Sequence, residues 1–149
     1  MPDAAPPGER TLMGFDHGSR KIGVAIGQEI TATGCPLTSL RNRNSQPDWD
    51  AIQGLIRQWR PHRLVVGLPY NLDGSESQQT RLALRFSRRL HGRTGLPVDT
   101  MDERLSSEAA RAEITQLRRS GMRKDQGRTN LDAVAAALIL ENWMLEPHP

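Results

Sequence analysis

Acidic residues stand at the predicted ends of three elements that lie far apart in this 149-residue chain. Asp16 closes the first predicted strand, and Gly18 after it leaves room for a metal, a phosphate or another backbone to approach. Asp102 and Glu103 directly follow a later strand, and ligands of open sheets gather where strands end. Asp132 lies in the first turn of the predicted last helix, near the positive end of the helix dipole. The chemistry that such carboxylates could share is the binding of a cation.

Electrostatics decides what three converging carboxylates would need. Two carboxylates about 4 Å apart repel by roughly 4 kcal/mol at an effective dielectric of 20, so a fold that gathers three of them requires a cation. Oxygen ligands without Cys or His favour Mg²⁺ or Mn²⁺. Taken singly, each acid is more simply explained as a turn former, a surface charge or a helix-cap charge. The spacing alone does not show that the three converge.

Alternating apolar patterns predict the elements that must position these acids. Strands are predicted at residues 11–16, 21–28, 30–40, 63–67 and 96–101. Helices are predicted at 47–60, from a cap at Ser75 or Ser77, from Ser106 or Ser107 to Gly121, and from Thr129 or Asn130 to about 145. This order predicts one α/β domain over residues 11–146 with a mixed sheet, preceded by a disordered lead-in at 1–10.

Composition excludes several classes of protein. One cysteine, Cys35, excludes an internal disulfide, and we expect it to be buried in the third strand. The longest apolar run has eight residues, 133–140, whereas about 20 are needed to cross a bilayer. The N-terminus lacks the pattern of a secretory signal. We therefore expect a cytoplasmic protein that does not enter a membrane.

Arginine supplies eighteen of the twenty positive charges, against seventeen acidic residues. The positive charges are concentrated, since residues 41–93 hold ten arginines and four acids. Because arginine binds phosphate through two parallel N–H donors, this composition suits nucleic acid as a partner. The alternative is a set of solvated helix faces in a protein that prefers arginine to lysine, and charge alone favours neither.

Four ordered segments of the chain resemble those of one known family. They are GFDHGSRKIGVAIG (14–27), VVGLPYNLDGSES (65–77), DERLSS (102–107) and LDAVAAALIL (131–140). They are similar to the D-x-G-x-x-R-I-G-V-A, V-G-L-P-x-N-x-D-G-S-E, D-E-R-L-T-T and D-x-x-A-A-x-x-I-L segments of the YqgF family of pre-16S ribosomal RNA nucleases, also called Holliday junction resolvases. Lys21 stands where the family usually has arginine, and His17 where it usually has an apolar residue.

The resemblance implies a ribonuclease-H-like fold, in which a five-stranded mixed sheet with three antiparallel strands first is flanked by helices. In that fold an acid of the first strand and an acid of the last helix meet over the sheet edge. This assigns Asp16 and Asp132 as catalytic metal ligands, and the DER segment supplies a third, for which Glu103 is favoured over Asp102. Further substrate-binding candidates are Arg104, Asn71, Ser75, Arg81, Arg85, Arg123 and Lys124.

The implied activity is hydrolysis of nucleic-acid phosphodiesters with two Mg²⁺ or Mn²⁺ ions. The resemblance favours 5′-end processing of precursor 16S ribosomal RNA by a monomer or a homodimer. Branched or single-stranded DNA is the alternative substrate. A different class of answer is a non-catalytic nucleic-acid-binding factor in ribosome maturation, which would bind with steep salt dependence and show no turnover. ATP binding, suggested by the likeness of the D-x-G turn to actin-like kinases, is disfavoured because those proteins need two such domains.

Overall fold

The computed structural model describes residues 5–105 and 131–146. In chain order the elements are β1 (Thr11–His17), β2 (Lys21–Gln28), β3 (Thr33–Arg41), α1 (Trp49–Trp59), β4 (Arg63–Leu68), α2 (Gln78–Thr94), β5 (Val98–Asp102), a 3₁₀ turn (Glu103–Leu105) and α3 (Leu131–Met144). The helix predicted from Ser106 or Ser107 to Gly121 and the residues that follow it up to Asn130 lie outside the described residues.

Local capping explains where the first two helices begin and end. The Asp48 carboxylate accepts a hydrogen bond from the backbone N–H of Ala51 and so starts α1. Of the two serines that could cap α2, Ser77 does so, in a capping box with Thr80. Gly95 ends α2 with a left-handed φ of 73°, a conformation that costs glycine little.

The five strands form one mixed sheet in the order β3-β2-β1-β4-β5. β2 is antiparallel to both β1 and β3, whereas β4 is parallel to both β1 and β5. This arrangement confirms the predicted five-stranded sheet with three antiparallel strands first. Because β1, β4 and β5 run in the same direction, their carboxyl ends meet at one edge of the sheet, and we call this the carboxyl edge.

Side chains alternate between two faces of the sheet, and each face has its own helices. Phe15, Val24 and Val66 are buried against α1 and α2, in a core of large apolar side chains. Leu12, Ala25 and Val65 are buried against α3. Burial of one such aliphatic or aromatic side chain contributes about 1.5–3 kcal/mol to folding. The two faces are called the α1/α2 face and the α3 face below.

The α3 face brings backbone close to backbone. A methyl group placed on Gly34 would lie 2.6 Å from the carbonyl oxygen of Ala137, and one on Gly14 would lie 3.0 Å from that of Ala136. Both alanines are buried, and neither side chain holds α3 away from the sheet. Among the described residues, no helix has both the length and the apolar character needed to cross a membrane.

Two expectations about the third strand are wrong. The strand begins at Thr33 rather than near residue 30, because the N–H of Ala32 closes a turn on the carbonyl of Glu29 and Ala32 takes a positive φ of 53°. Cys35 is exposed rather than buried. β3 is an edge strand, and α3 packs on it from the opposite face.

The residues just before β1 are attached to the end of β2. The guanidinium of Arg10 and the carboxylate of Glu29 form an ion pair of 2.7 Å with both side chains nearly buried, and Gly8 donates to the same carboxylate. Burial opposes ionisation of Glu29, but the hydrogen bonds from Arg10 outweigh it and lower the pKa of this carboxyl. These contacts lie at the end of the sheet opposite the carboxyl edge.

Candidate active site

Asp16 lies near the carboxyl edge, between two glycines of neighbouring strands. In the β1–β2 ladder it pairs directly with Gly23. In the β1–β4 ladder Phe15 pairs with Val66, so Gly67 is the next residue beside Asp16. Directly paired residues project to the same face, and both glycines face α3. Asp16 therefore projects onto the α3 face.

Each of the two glycines makes room for another of the predicted acids. A methyl group on Gly23 would overlap the backbone carbonyl of Asp132, the second residue of α3. A methyl group on Gly67 would lie 3.1 Å from Oε2 of Glu103 and would overlap Ile139. The backbone of Asp132 and the carboxylate of Glu103 thus flank the strand that carries Asp16, on one face of the sheet.

This arrangement is oxygen-rich but does not form a tight cluster. No group of three or more His, Cys, Asp or Glu in the described part of the chain is already arranged to hold a metal ion. The donor chemistry, all carboxylate oxygen, fits a hard divalent cation such as Mg²⁺.

Asp102 is engaged elsewhere. It pairs with Leu68, whose side chain belongs to the α1/α2 face, and its carboxylate receives several hydrogen bonds from Arg104, the shortest 2.7 Å. Those hydrogen bonds lower the pKa of Asp102 below its ordinary value of 3.8. Asp102 and Glu103 therefore lie in different surroundings, since Asp102 is bonded to Arg104 whereas the carboxylate of Glu103 lies against Gly67 beside Asp16.

Arg104 links the DER segment to the loop at residues 69–77. Its guanidinium lies 5.5 Å from the ring centroid of Tyr70, and its Nη1 would lie 3.2 Å from a methyl group on Gly74. Gly74 has a φ of 90°, a conformation that disfavours any other residue. Since Asp102 fixes the guanidinium and the loop accommodates it, Arg104 lies at the carboxyl edge in a fixed orientation.

The polar side chains of this loop hydrogen-bond to one another. Asn71 donates to the Ser75 hydroxyl, and Ser75 donates from both its hydroxyl and its N–H to Asp73. These bonds lower the pKa of Asp73. Asn71 and Ser75 are predicted substrate contacts. Both are exposed, and their hydrogen bonds hold the loop together.

His17 lies on the other face from Asp16, because successive residues of a strand alternate. Its ring centroid is 5.0 Å from that of Phe86 of α2. Burial lowers the pKa of the imidazole below its ordinary value of 6.5, so the ring is neutral at pH 7. The sheet therefore separates the ring of His17 from the side chain of Asp16.

The arginines predicted to bind substrate are only partly described. Arg81 and Arg85 are exposed on α2, on the α1/α2 side of the molecule. Arg123 and Lys124 lie outside the described residues. The described candidates therefore include cations on the face of the sheet opposite Asp16.

The comparison with family models decides the relationship. A model described as "RuvX: Holliday junction resolvase" matches residues 10–146. The chain belongs to the RuvX family. RuvX is another name of the YqgF family, so the resemblance predicted from the four sequence segments is confirmed.

Relatives of high identity carry one name. A protein of Azotobacter vinelandii named "Putative pre-16S rRNA nuclease" is 50% identical over 140 residues, covering 93% of this chain and 96% of that protein. A protein of Pseudomonas paraeruginosa with the same name is 48% identical over 141 residues, covering 94% of each chain. The similarity to each of these two proteins therefore extends along nearly the whole of this chain and of the relative.

Solved structures share the fold at low identity. Thermus thermophilus RuvC in complex with a Holliday junction substrate superimposes with a TM-score of 0.57 at 14% identity, covering 89% of this chain and 91% of RuvC. The yeast mitochondrial Holliday junction resolvase gives a TM-score of 0.53 at 12% identity, with 95% and 80% covered. These neighbours confirm the ribonuclease-H-like fold expected for the RuvX chain.

Sequence reasoning missed the two glycines that flank Asp16. Gly23 and Gly67 lie inside strand patterns, and a glycine within a strand often marks a close approach of another backbone. That signal was present, but it does not say which segment approaches. Only the register of β1 against β2 and β4 shows that both glycines are neighbours of Asp16.

Proposed function

We propose that this chain is a divalent-ion-dependent nuclease that hydrolyses phosphodiester bonds of precursor 16S ribosomal RNA, with Asp16, Glu103 and Asp132 as its metal ligands. The observation that carries the proposal is the placement of Asp16 between Gly23 and Gly67. The backbone of Asp132 lies against Gly23, and the carboxylate of Glu103 lies against Gly67. The substrate is that in the names of the relatives at about 50% identity. With this substrate the protein would act in the cytoplasm.

The three carboxylates would hold two Mg²⁺ or Mn²⁺ ions, and Asp16 is the central one of the three across the sheet. When bound, such ions lower the pKa of an attacking water and stabilise the leaving oxygen. Asp132 is brought to the site by the first turn of α3, whose N–H groups also favour negative charge there. No covalent bond between enzyme and substrate is needed.

Arg104 would offset the negative charge of the phosphoryl group as it is attacked. The Nε and Nη2 groups of Arg104 donate to the carboxylate of Asp102, which fixes the guanidinium and leaves Nη1 available to a phosphate. A donor that is already oriented costs no reorganisation during the reaction. Arg81 and Arg85 would bind phosphates away from the reacting bond, and Asn71 and Ser75 would contact the substrate from the loop at residues 69–77.

The first experiment replaces the central ligand without changing its size. We expect Asp16→Asn to lower the Mg²⁺-dependent rate on a precursor 16S RNA fragment by at least about 100-fold, since the ion that activates water loses its ligand. Rates are measured on a gel with Mg²⁺, with Mn²⁺ and with EDTA. Glu146→Gln, an exposed acid just beyond α3, is the matched control and should cleave like the parent. An Asp16→Asn variant as fast as the parent would show that Asp16 is not a ligand.

The name of the family model favours a second candidate substrate, a four-way DNA junction. A two-fold symmetric junction is cut symmetrically by a dimer, so this activity predicts a homodimer on the DNA. The same assay with a four-way junction and single-stranded DNA separates the candidates. Cleavage of the junction alone would replace RNA by DNA as substrate. Tight binding of RNA with no turnover in either ion would favour the non-catalytic factor instead.

A further inference from the structure

Two adjoining hollows lie beside the β1–β2 turn. The first has a volume of about 220 Å³ and lies between this turn and α2. The second has a volume of about 600 Å³ and lies between the turn and the end of β3. Ser19, Asn42 and Ser45 line both, so the hollows share a wall. His17 lines the first, which places it on the α1/α2 side of the carboxyl edge.

The hollows are lined by positive charge. Arg85 and Arg89 contribute to the first, and Arg20, Lys21 and Arg41 to the second. Neither Asp nor Glu is among the described residues that line them. A concave surface of one sign concentrates its field and attracts ligands of the opposite sign.

These cations are not neutralised by the described protein. Ion pairs within residues 5–105 and 131–146 join other arginines to their acids, namely Arg10, Arg43, Arg63 and Arg104. Burial, together with the charges of Arg85 and Arg93, lowers the pKa of Arg89. The arginines of α2 therefore repel one another, and a bound anion would relieve that repulsion.

The walls of the hollows are held by hydrogen bonds. The side-chain amide of Asn42 donates to the carbonyls of Gly18 and Ser19, which fixes the turn to the end of β3. Arg89 donates to Oε1 of Gln46 and lies over the ring of Trp49, 5.2 Å from its centroid. Cations positioned before binding lose less conformational entropy when they bind.

We propose that the two hollows form a second binding site, which holds the sugar-phosphate backbone of a nucleic-acid strand beyond the bond that is cut. The turn that separates them begins directly after Asp16 and His17, so a strand at the carboxylates could continue over it onto the opposite face. Five cations in two joined hollows suit a chain of phosphates better than a single anion. That the ligand is a nucleic acid rests on the proposed function, but the experiment below measures binding alone and needs no cleavage.

The test measures how binding depends on salt. Anisotropy of a labelled single-stranded RNA oligomer is recorded in EDTA over a series of NaCl concentrations, so that no turnover occurs. Each phosphate contact contributes about 0.7 to the slope of log K against log [salt] for a single strand. We expect Arg41→Gln/Arg85→Gln to lower that slope by about 1.4, one contact from each hollow.

The matched control removes the same charge elsewhere. Arg57 and Arg60 are exposed cations at the far end of α1, and Arg60 has a left-handed φ of 49° that asparagine tolerates. Arg57→Gln/Arg60→Asn should leave the slope as in the parent. Equal slopes for the two double variants would overturn the proposal. Lys21→Gln, which should lower the slope by about 0.7, gives a second reading if the first pair melts early.

Inorganic phosphate separates a strand site from a site for a single anion. If millimolar phosphate displaces the RNA at constant ionic strength, the hollows bind isolated anions and the strand proposal fails. If Arg41→Gln/Arg85→Gln lowers the slope but the parent protein cleaves nothing with Mg²⁺, the second binding site is supported and the nuclease activity is refuted. If Asp16→Asn loses cleavage but the two double arginine variants have equal slopes, the nuclease activity is supported and the second binding site is refuted.

Discussion

The two faces of the sheet differ in how closely their helices approach the strands, and each face carries different chemistry. The α3 face includes glycines and alanines at which backbone lies against backbone, beside large side chains such as Leu140 and Trp143, and it carries the acids. The α1/α2 face meets its helices through large side chains such as Phe15, Phe86 and Leu90, and its rim carries arginines. A large side chain can adjust its rotamer when a neighbour changes, whereas a backbone carbonyl cannot easily move away. Position is therefore held more tightly on the face that would do the chemistry.

Adding one carbon to the α3 face should have the largest effect on the cleavage rate. In Gly23→Ala the new methyl group would overlap the carbonyl of Asp132, so the first turn of α3 must shift away from Asp16. We expect a loss of free energy of unfolding of about 1–3 kcal/mol, typical of overpacking. We also expect at least about a 100-fold loss of cleavage rate, since misplacement of a reacting group by 1 Å can cost that much. Urea unfolding and the cleavage assay with Mg²⁺ measure the two effects.

The chain offers a control with the same change in a tolerant place. Gly92 lies in α2, and a methyl group there would meet nothing within 4 Å. Gly92→Ala should raise the free energy of unfolding by about 0.5–1 kcal/mol and leave cleavage unchanged. If Gly23→Ala behaved like Gly92→Ala, close packing at Asp132 would have no role in the site.

Removing three carbons from the α1/α2 face should damage stability but not chemistry. Leu90 is fully buried in α2, and Leu90→Ala should cost about 2–5 kcal/mol of the free energy of unfolding through lost burial and the cavity left behind. The rate per folded molecule should stay within about two-fold of the parent, because the large side chains around Leu90 can relax. A loss of rate as great as that of Gly23→Ala, measured at a temperature where both variants are folded, would remove the distinction between the faces.

The same difference explains what could be predicted from the sequence. Local periodicity and capping residues predict the bounds of β2 and place α2 after one of two serines, because those signals lie within a few residues of what they determine. The family resemblance predicted five strands with the first three antiparallel, but the spatial order of the strands was not predicted, since pairing joins residues such as Gly14 and Val65 that are distant in the chain. The exposure of Cys35 depends on which strand lies at the edge, which its own neighbours in sequence do not encode.

The candidate site was predicted in its acids and in polar residues such as Arg104, but not in its glycines. Asp16, Glu103 and Asp132 could be named from their motifs, but not their distances or the glycines between them. Gly23 is informative only once its ladder partner is known, and Gly67 only once β4 is placed beside β1. The basic hollows depend on the meeting of a turn, a strand end and a helix that no single motif contains.

The smallest effect concerns His17, which shares a strand with Asp16 but not a face. Burial lowers the folded-state pKa below the ordinary 6.5, so between the folded and ordinary values the unfolded chain binds more protons. The free energy of unfolding should therefore fall as the pH is lowered from 7.5 through 6.5, and the loss should be complete below the folded pKa.

His17→Asn should flatten this part of the curve, measured by urea unfolding at half-unit pH steps. The carboxyls of Glu29, Asp73 and Asp102 have lowered pKa values and titrate below this range, so they do not obscure the comparison. Parallel curves for the variant and the parent would mean that His17 is as well solvated as a histidine in the unfolded chain, and that the α1/α2 face does not close over the end of β1.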